Sequence, residues 1–177
     1  APRQPTKART KMAVEDSQTI DSAEAVRLFF ENIENIDGNG NHYSKTLSRN
    51  YFSEILRGIL KVDSIQRGAI VCSFTVLPAI VNCYEGFHGG AVASIAERVC
   101  IACARTVVAE DRPLFLGELA VSYLSSATIL EEVTVEGSVV RSGRNLTMVT
   151  SDFRKKKTGK LVYSARATLY HMSPSRL

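Results

Sequence analysis

A stretch near the middle of the chain, Ala91 to Ala104, is built almost entirely of small and apolar residues and predicts a helix. A helix that is apolar on most of its surface is covered by other elements instead of lying on a surface. Ser94, Arg98 and Arg105 fall on one narrow stripe of this helix, which we expect to face solvent. Glu97 lies beside that stripe, at the margin of the apolar face, where a carboxylate costs desolvation energy.

Apolar segments bounded by turn residues predict strands on both sides of this helix. Turns fall at Gln66-Arg67-Gly68, Ser142-Gly143 and Thr158-Gly159, and Pro78 ends the second strand. One long apolar helix inserted into about six strands indicates an α+β fold, in which a curved antiparallel sheet wraps around the helix. The predicted strands are Leu60–Ile65, Ala69–Leu77, Leu114–Leu124, Glu132–Val140, Leu146–Phe153 and Leu161–Tyr170.

Helical spacing predicts two further helices ahead of the sheet. The first begins at Asp21, which forms a capping box with Glu24, and the second covers Thr46–Arg57. The predicted organisation therefore has four parts: a disordered arm or cloning remnant (1–20), N-terminal helices that pack on the domain (21–58), the main domain (59–172) and an exposed tail (173–177).

The composition is that of an ordinary globular domain, with 45% hydrophobic and 23% charged residues among 177. The net charge of +4 is supplied by Arg3, Lys7, Arg9 and Lys11, which precede any acidic residue. Residues 12–177 are therefore formally neutral, which argues against nucleic acid as a partner. The apolar helix is too short, and carries too many charges, to span a membrane.

The four cysteines are Cys72, Cys83, Cys100 and Cys103. Cys100 and Cys103 lie inside the apolar helix, and no second Cys-x-x-Cys or histidine pair accompanies them. We therefore expect reduced, buried, structural thiols and no metal site.

The candidate chemistry lies where the loop meets the helix, at His88-Gly89-Gly90. Two glycines let the backbone approach a ligand closely. The first N–H groups of the helix have no internal partner and lie at the positive end of its dipole. Such a terminus can hold an anion, or an oxygen that becomes anionic during a reaction.

Asn82 lies six residues before His88-Gly89-Gly90, and Glu97 lies nine residues after His88. This triple spacing resembles the signature of the hotdog-fold acyl-CoA thioesterases, in the phenylacetate-type branch that includes thioesterase superfamily member 2 (acyl-CoA thioesterase 13) and plant homologues. The resemblance covers roughly Phe52 to His171. Ile95-Ala96-Glu97 is similar to the branch whose acid is Glu, which includes thioesterases for aromatic acyl-CoAs.

The resemblance implies hydrolysis of an acyl-CoA to a free acid and coenzyme A, with no cofactor. Gly89 N–H would polarise the thioester carbonyl, and Glu97 would act as general base or as nucleophile. Asn82 would orient the water or the carbonyl. His88 would either bond the thioester region or brace the loop, and Gly90 would allow the tight turn into the helix beside the substrate.

Gly89 and Glu97 cannot meet within one chain, because the nine residues of helix from His88 to Glu97 rise about 13.5 Å. If both serve one site, Glu97 comes from a second copy, so the sequence implies at least a dimer. The resemblance implies a dimer or a dimer of dimers, the second of which is a homotetramer.

Cationic residues that could bind the phosphates of coenzyme A follow later in the chain. Arg144 and Arg166 resemble phosphate-binding positions of the family, whereas Lys155 and Lys156 belong either to that site or to a solvated hairpin. Residues such as Phe87 would contact the acyl group.

Two positions depart from the family pattern. The hydroxyl found one turn after the acid, or on the next strand, is replaced here by Ile101 and Leu116. A non-catalytic acyl-CoA-binding or sensing hotdog protein is therefore the alternative function. A simple surface role for Glu97, paired with Arg98, also remains open.

The chain ends in Ser175-Arg176-Leu177, which resembles the tripeptide read by the peroxisomal import receptor. A peroxisomal location is therefore expected, with the cytoplasm as the alternative.

Overall fold

The computed structural model describes residue 56 and residues 58–171. This part contains six strands and one long helix, in the predicted order, with a short 3-10 turn at Pro78–Ile80. The elements are β1 (Lys61–Gln66), β2 (Ala69–Thr75), α1 (Gly89–Arg105), β3 (Leu114–Tyr123), β4 (Glu132–Ser142), β5 (Leu146–Lys155) and β6 (Leu161–His171).

All six strands form one antiparallel sheet in the order β1-β2-β4-β5-β6-β3. The connection from β2 to β3 contains α1 and leads to the far side of the sheet, so that β3 forms one edge and β1 the other. The helix contacts five of the strands, β2 to β6. The predicted α+β class and the hotdog arrangement, a curved sheet around a central helix, are confirmed.

The core lies between α1 and the sheet. Val92, Ile95 and Val99 of the helix are completely buried, as are the side chains of β4 to β6 that face them. Gly137 on β4 permits this close approach, because a Cβ there would lie 2.8 Å from Ile70 Cγ2 and 3.1 Å from Val99 Cγ1. Each such large apolar side chain contributes about 2 kcal/mol through burial.

The described end of the preceding segment fits the second predicted helix. Leu56, Gly58 and Ile59 are helical, and Leu56 is buried in the core. The rest of that helix, the first predicted helix, the arm and the tail with Ser175-Arg176-Leu177 lie outside the described residues. Within the described part, no helix is both long and apolar enough to cross a membrane.

Three strands are longer than predicted: β4 and β5 by two residues each, to Ser142 and Lys155, and β6 by one, to His171. Ser142 belongs to β4 and not to the turn, which is closed by the Gly143 N–H donating to Leu146 O at 2.8 Å. A bulge between Val139 and Arg141 leaves Val140 60% exposed. The bulge interrupts the alternation of inward and outward side chains, so the sequence pattern ends before the strand does.

The prediction that Arg98 faces solvent is wrong, since only 9% of this residue is exposed. The partly exposed positions of α1 instead follow a stripe through Ser94, Glu97, Ile101 and Arg105. This stripe is centred near Glu97 and Ile101, which leaves Arg98 at its edge, where it is covered. Glu97 therefore lies on the accessible stripe and not beside it.

Candidate active site

The N-terminus of α1 is held by His88, its N-cap residue. The Nδ1 atom of His88 accepts a hydrogen bond from Gly90 N–H at 3.0 Å, while the backbone N–H of His88 donates to Ile80 O at 2.9 Å. The cap thus uses one of the unsatisfied N–H groups at the helix start. No acceptor among the described residues takes the Gly89 N–H, so this donor is available to a ligand.

Asn82 organises the loop that leads into the helix. Its side-chain Oδ1 accepts from Tyr84 N–H at 3.0 Å and from Gly86 N–H at 3.1 Å, and its backbone N–H donates to Gly86 O at 2.8 Å. These bonds hold a tight loop in which Glu85 adopts a φ of 59°. Because Oδ1 serves the loop, Nδ2 is the atom of the side chain suited to a ligand.

Phe87 lies beneath this loop and not on its surface. It is 3% exposed, and its ring packs on Phe74 and Tyr163 with centroid distances of 5.2 and 5.7 Å. Its backbone N–H donates to Ala127 O at 2.8 Å. The structure therefore places Phe87 in the core, where it supports the helix start from below.

Tyr123, at the end of β3, is a site residue that the sequence reasoning missed. Its hydroxyl donates to Gly89 O at 2.9 Å, and a Cβ on Gly89 would lie 3.3 Å from its ring. The contact joins residues 34 positions apart. No local pattern predicts this contact. The sequence predicts only that Tyr123 lies near the end of a strand.

Glu97 lies on the accessible stripe of α1, half-buried, two turns beyond Gly89. Eight residues of helix rise about 12 Å. One chain therefore does not bring this carboxylate to the Gly89 N–H.

The two candidate lysines are paired within the chain. Lys155 Nζ lies 2.8 Å from Glu131 Oε2 in a mostly buried pair, and Lys156 Nζ lies 3.5 Å from Glu132 Oε1 in an exposed one. Burial alone would raise the pKa of Glu131, but hydrogen bonds from Lys155 and the Thr128 N–H outweigh it and lower that pKa. Both lysine charges are therefore compensated locally.

The two candidate arginines lie away from Gly89 in the same chain. The backbone oxygen of Arg144 accepts from His171 Nδ1 at 3.1 Å, at the end of β6 opposite to the end that pairs with Tyr123. Arg166 is exposed between the inward-facing Ala165 and Ala167, so it lies on the outer face of the sheet. One chain thus brings together Asn82, Phe87, His88, Gly89 and Gly90, but neither arginine.

Three of the cysteines are buried, and burial raises the pKa of the Cys100 thiol to about 11 and those of Cys72 and Cys103 to about 12. Cys83 is exposed, so the prediction of burial is wrong there. Its backbone belongs to the tight loop around Asn82, which turns the side chain outward. No group of His, Cys, Asp and Glu among the described residues is placed to hold a metal ion.

Comparison with known proteins shows which proteins this chain is similar to. Residues 86–162 match the family described as the Thioesterase superfamily. The chain is 25% identical over 123 residues to human acyl-coenzyme A thioesterase 13, which covers 70% of this chain and 86% of the human protein.

Two solved structures share the fold. Zebra fish thioesterase superfamily member 2 has a TM-score of 0.68 and 20% identity, with 88% of this chain and 100% of that chain covered. A Streptococcus pneumoniae protein, described as a hypothetical thioesterase with coenzyme A, has a TM-score of 0.58 and 18% identity, with 64% of this chain and 86% of that chain covered.

Proposed function

We propose that the protein, whose residues 86–162 match the family described as the Thioesterase superfamily, is a thioester hydrolase that converts an acyl-CoA to a free acid and coenzyme A. The observation that carries the proposal is the Gly89 N–H, which stands at the start of a 17-residue helix without an acceptor in the described part of the chain. A thioester oxygen placed there meets both a hydrogen-bond donor and the positive end of the helix dipole.

The proposed reaction begins with the thioester carbonyl bound to the Gly89 N–H. Glu97 of a second copy removes a proton from water, whose oxygen attacks the carbonyl carbon and pushes charge onto the carbonyl oxygen. When the carbonyl re-forms, the carbon–sulfur bond breaks and the proton held by Glu97 passes to the departing sulfur, so that coenzyme A leaves as a thiol and the carboxylate is restored. Alternatively Glu97 attacks directly, and water then hydrolyses the mixed anhydride to restore the carboxylate.

A two-fold dimer along β3 is proposed to complete the site. β3 is a ten-residue strand at the sheet edge, with the half-buried apolar residues Leu114, Leu116, Leu119 and Val121. An unpaired edge of this length readily accepts another strand. A two-fold axis at this edge would reverse the direction of the second α1, so that Glu97 of each copy approaches Gly89 of the other. A dimer of such dimers is the proposed tetramer.

The coenzyme A part of the substrate is proposed to bind to the same dimer. Arg144 lies at the end of its own chain opposite to Gly89, and the two-fold axis would carry that end towards the Gly89 end of the second copy. The β5–β6 hairpin with Lys155 and Lys156 lies at the Gly89 end of its own sheet. Arg166, on the outer face, would reach a phosphate only around the sheet edge or in a tetramer.

Release of free thiol from a panel of aliphatic and aromatic acyl-CoAs tests the proposal. We expect turnover by the parent and a loss of about 100-fold or more in kcat for Glu97→Gln, with substrate binding retained. Glu136→Gln, on the exposed face of β4, is the matched control and should match the parent.

A non-catalytic acyl-CoA-binding protein is the second candidate. The observation that favours it is the absence of a hydroxyl at Ile101 and Leu116, both partly buried on α1 and β3. Binding of acyl-CoAs without thiol release by the parent would support this alternative and reject hydrolysis.

A further inference from the structure

Two aromatic side chains hold opposite ends of one peptide group at the start of α1. The Tyr123 hydroxyl donates to the carbonyl oxygen of Gly89 at 2.9 Å, and His88 Nδ1 accepts from the N–H of Gly90 at 3.0 Å. The Gly89 carbonyl and the Gly90 N–H belong to the same planar unit. Bonds at both ends therefore fix its orientation.

This peptide group needs external support because it joins two glycines. Glycine has the widest range of backbone conformations, so a Gly-Gly start to a helix is intrinsically loose. Each glycine also makes room for one of the two rings. A Cβ on Gly89 would lie 3.3 Å from Tyr123 Cε1, and a Cβ on Gly90 would lie 3.2 Å from His88 Cε1 and Nδ1.

Tyr123 can act as a fixed support although it is 55% exposed. Its ring packs edge-on against Tyr163, with centroids 5.9 Å apart and an interplanar angle of 73°. Tyr163 is 3% exposed, lies opposite Tyr123 in the β3–β6 ladder, and accepts the Ala127 N–H at 3.0 Å. The contact with a buried aromatic ring and the strand pairing thus hold the Tyr123 ring, and with it the hydroxyl, in place.

We infer that Tyr123 is a positioning residue of the hydrolytic site: its hydroxyl, with His88, fixes the Gly89–Gly90 peptide so that the preceding Gly89 N–H stays directed at the thioester oxygen. This inference rests on the proposed function. Tyr123 acts through the backbone and does not itself contact the reacting atoms. A donor that is held in place before the reaction stabilises the developing charge without reorganisation.

Replacing Tyr123 by phenylalanine tests the inference, because Tyr123→Phe keeps the ring and its contact with Tyr163 and removes only the hydroxyl. We expect kcat to fall about tenfold while KM stays within about twofold, since misplacement of the donor weakens the transition state more than the ground state. Tyr170→Phe is the matched control. It makes the same chemical change on β6, at the end of that strand far from the residue that pairs with Tyr123, and should match the parent. The substrate is the acyl-CoA of the panel that the parent hydrolyses fastest.

Hydrogen exchange of the Gly90 amide, measured by NMR on protein with ¹⁵N-glycine, supplies a readout that does not depend on turnover. Exchange should be faster in Tyr123→Phe than in the parent and unchanged in Tyr170→Phe. If the parent turns over and Tyr123→Phe keeps its kcat, the positioning role is rejected and the proposed function stands. The same holds if kcat/KM falls only because KM rises. If the parent hydrolyses no acyl-CoA, both are rejected, whatever the exchange rates.

Discussion

His88 Nδ1 accepts the N–H of Gly90 at 3.0 Å, so the side chain of His88 caps the helix that begins at the next residue. This bond requires that Nδ1 carry no proton, which leaves the imidazole Nε2 as the ring donor. One side chain can therefore hold the helix through one nitrogen and serve a thioester through the other. The two roles that the sequence left open for His88 are compatible in this geometry.

Substitutions at His88 separate these two roles. His88→Ala removes the cap and should lower the free energy of unfolding by about 1 kcal/mol, whereas His88→Asn supplies another capping oxygen and should recover most of that loss. Urea unfolding measures the stability, and acyl-CoA hydrolysis measures the activity. If Nε2 contacts the thioester, His88→Asn stays catalytically impaired despite its recovered stability. Recovery of both quantities would show that His88 acts only as a cap.

We expect that glycine is required at position 90 only because a larger residue there would contact the His88 ring. In the parent, Gly90→Ala places a Cβ 3.2 Å from the His88 ring, which should displace the ring and break the cap. In the His88→Ala background the same change meets no ring and should stabilise the helix by about 0.5–1 kcal/mol, because alanine favours a helix over glycine. Urea midpoints of the four proteins give the coupling. Equal effects of Gly90→Ala in both backgrounds would disprove this dependence.

The parts of the fold that could be predicted are those written in neighbouring residues. The apolar run of α1 and the turn glycines are local features, and from them the sequence predicts the helix and the strands to within a few residues of their observed bounds. Bulges shift the alternation of a strand without leaving a mark in composition, which is why the end of β4 was placed too early.

The misplaced side chains depend on contacts between distant segments. The burial of Arg98 depends on how α1 is rotated about its axis against the sheet. A rotation by part of a turn moves Glu97 onto the exposed stripe and Arg98 off it. The Tyr123–Gly89 bond depends on the crossing from β2 to β3. Neither can be read from the residues on either side.

The four thiols should differ sharply in reactivity. Cys83 is exposed, whereas Cys72, Cys100 and Cys103 are buried with pKa values raised to between about 11 and 12. At pH 8 a thiol with a pKa of 11 is only about 0.1% thiolate, and thiolate is the reactive form. Titration of the folded protein with a disulfide reagent should therefore show one fast thiol, and four after unfolding.

Cys83→Ser is the control for this titration, and it should abolish the fast phase. A second fast thiol in the folded parent would contradict the burial of Cys72, Cys100 and Cys103 in the structure. Because thiol release also reports hydrolysis of acyl-CoAs, the Cys83→Ser protein is the suitable background for those assays.

Mixing two inactive variants tests whether one site draws on two copies of the chain. Glu97→Gln removes the acid. Gly89→Pro removes the free N–H at the first helical position, where proline is tolerated, and His88 already has the φ of −65° and ψ of 127° that suit a residue before proline. Each variant alone should be inactive and folded.

After unfolding and refolding together in equal amounts, half of the dimers should contain one copy of each variant. Such a dimer has one site with both groups intact and one site with neither, so about a quarter of the parent activity should return. Refolding each variant alone and then mixing is the control and should recover nothing while exchange of subunits is slow. If Gly89 and Glu97 worked within one chain, every mixed dimer would remain inactive, because each chain would lack one of the two groups. Recovery of activity can arise only when the donor and the acid come from different chains.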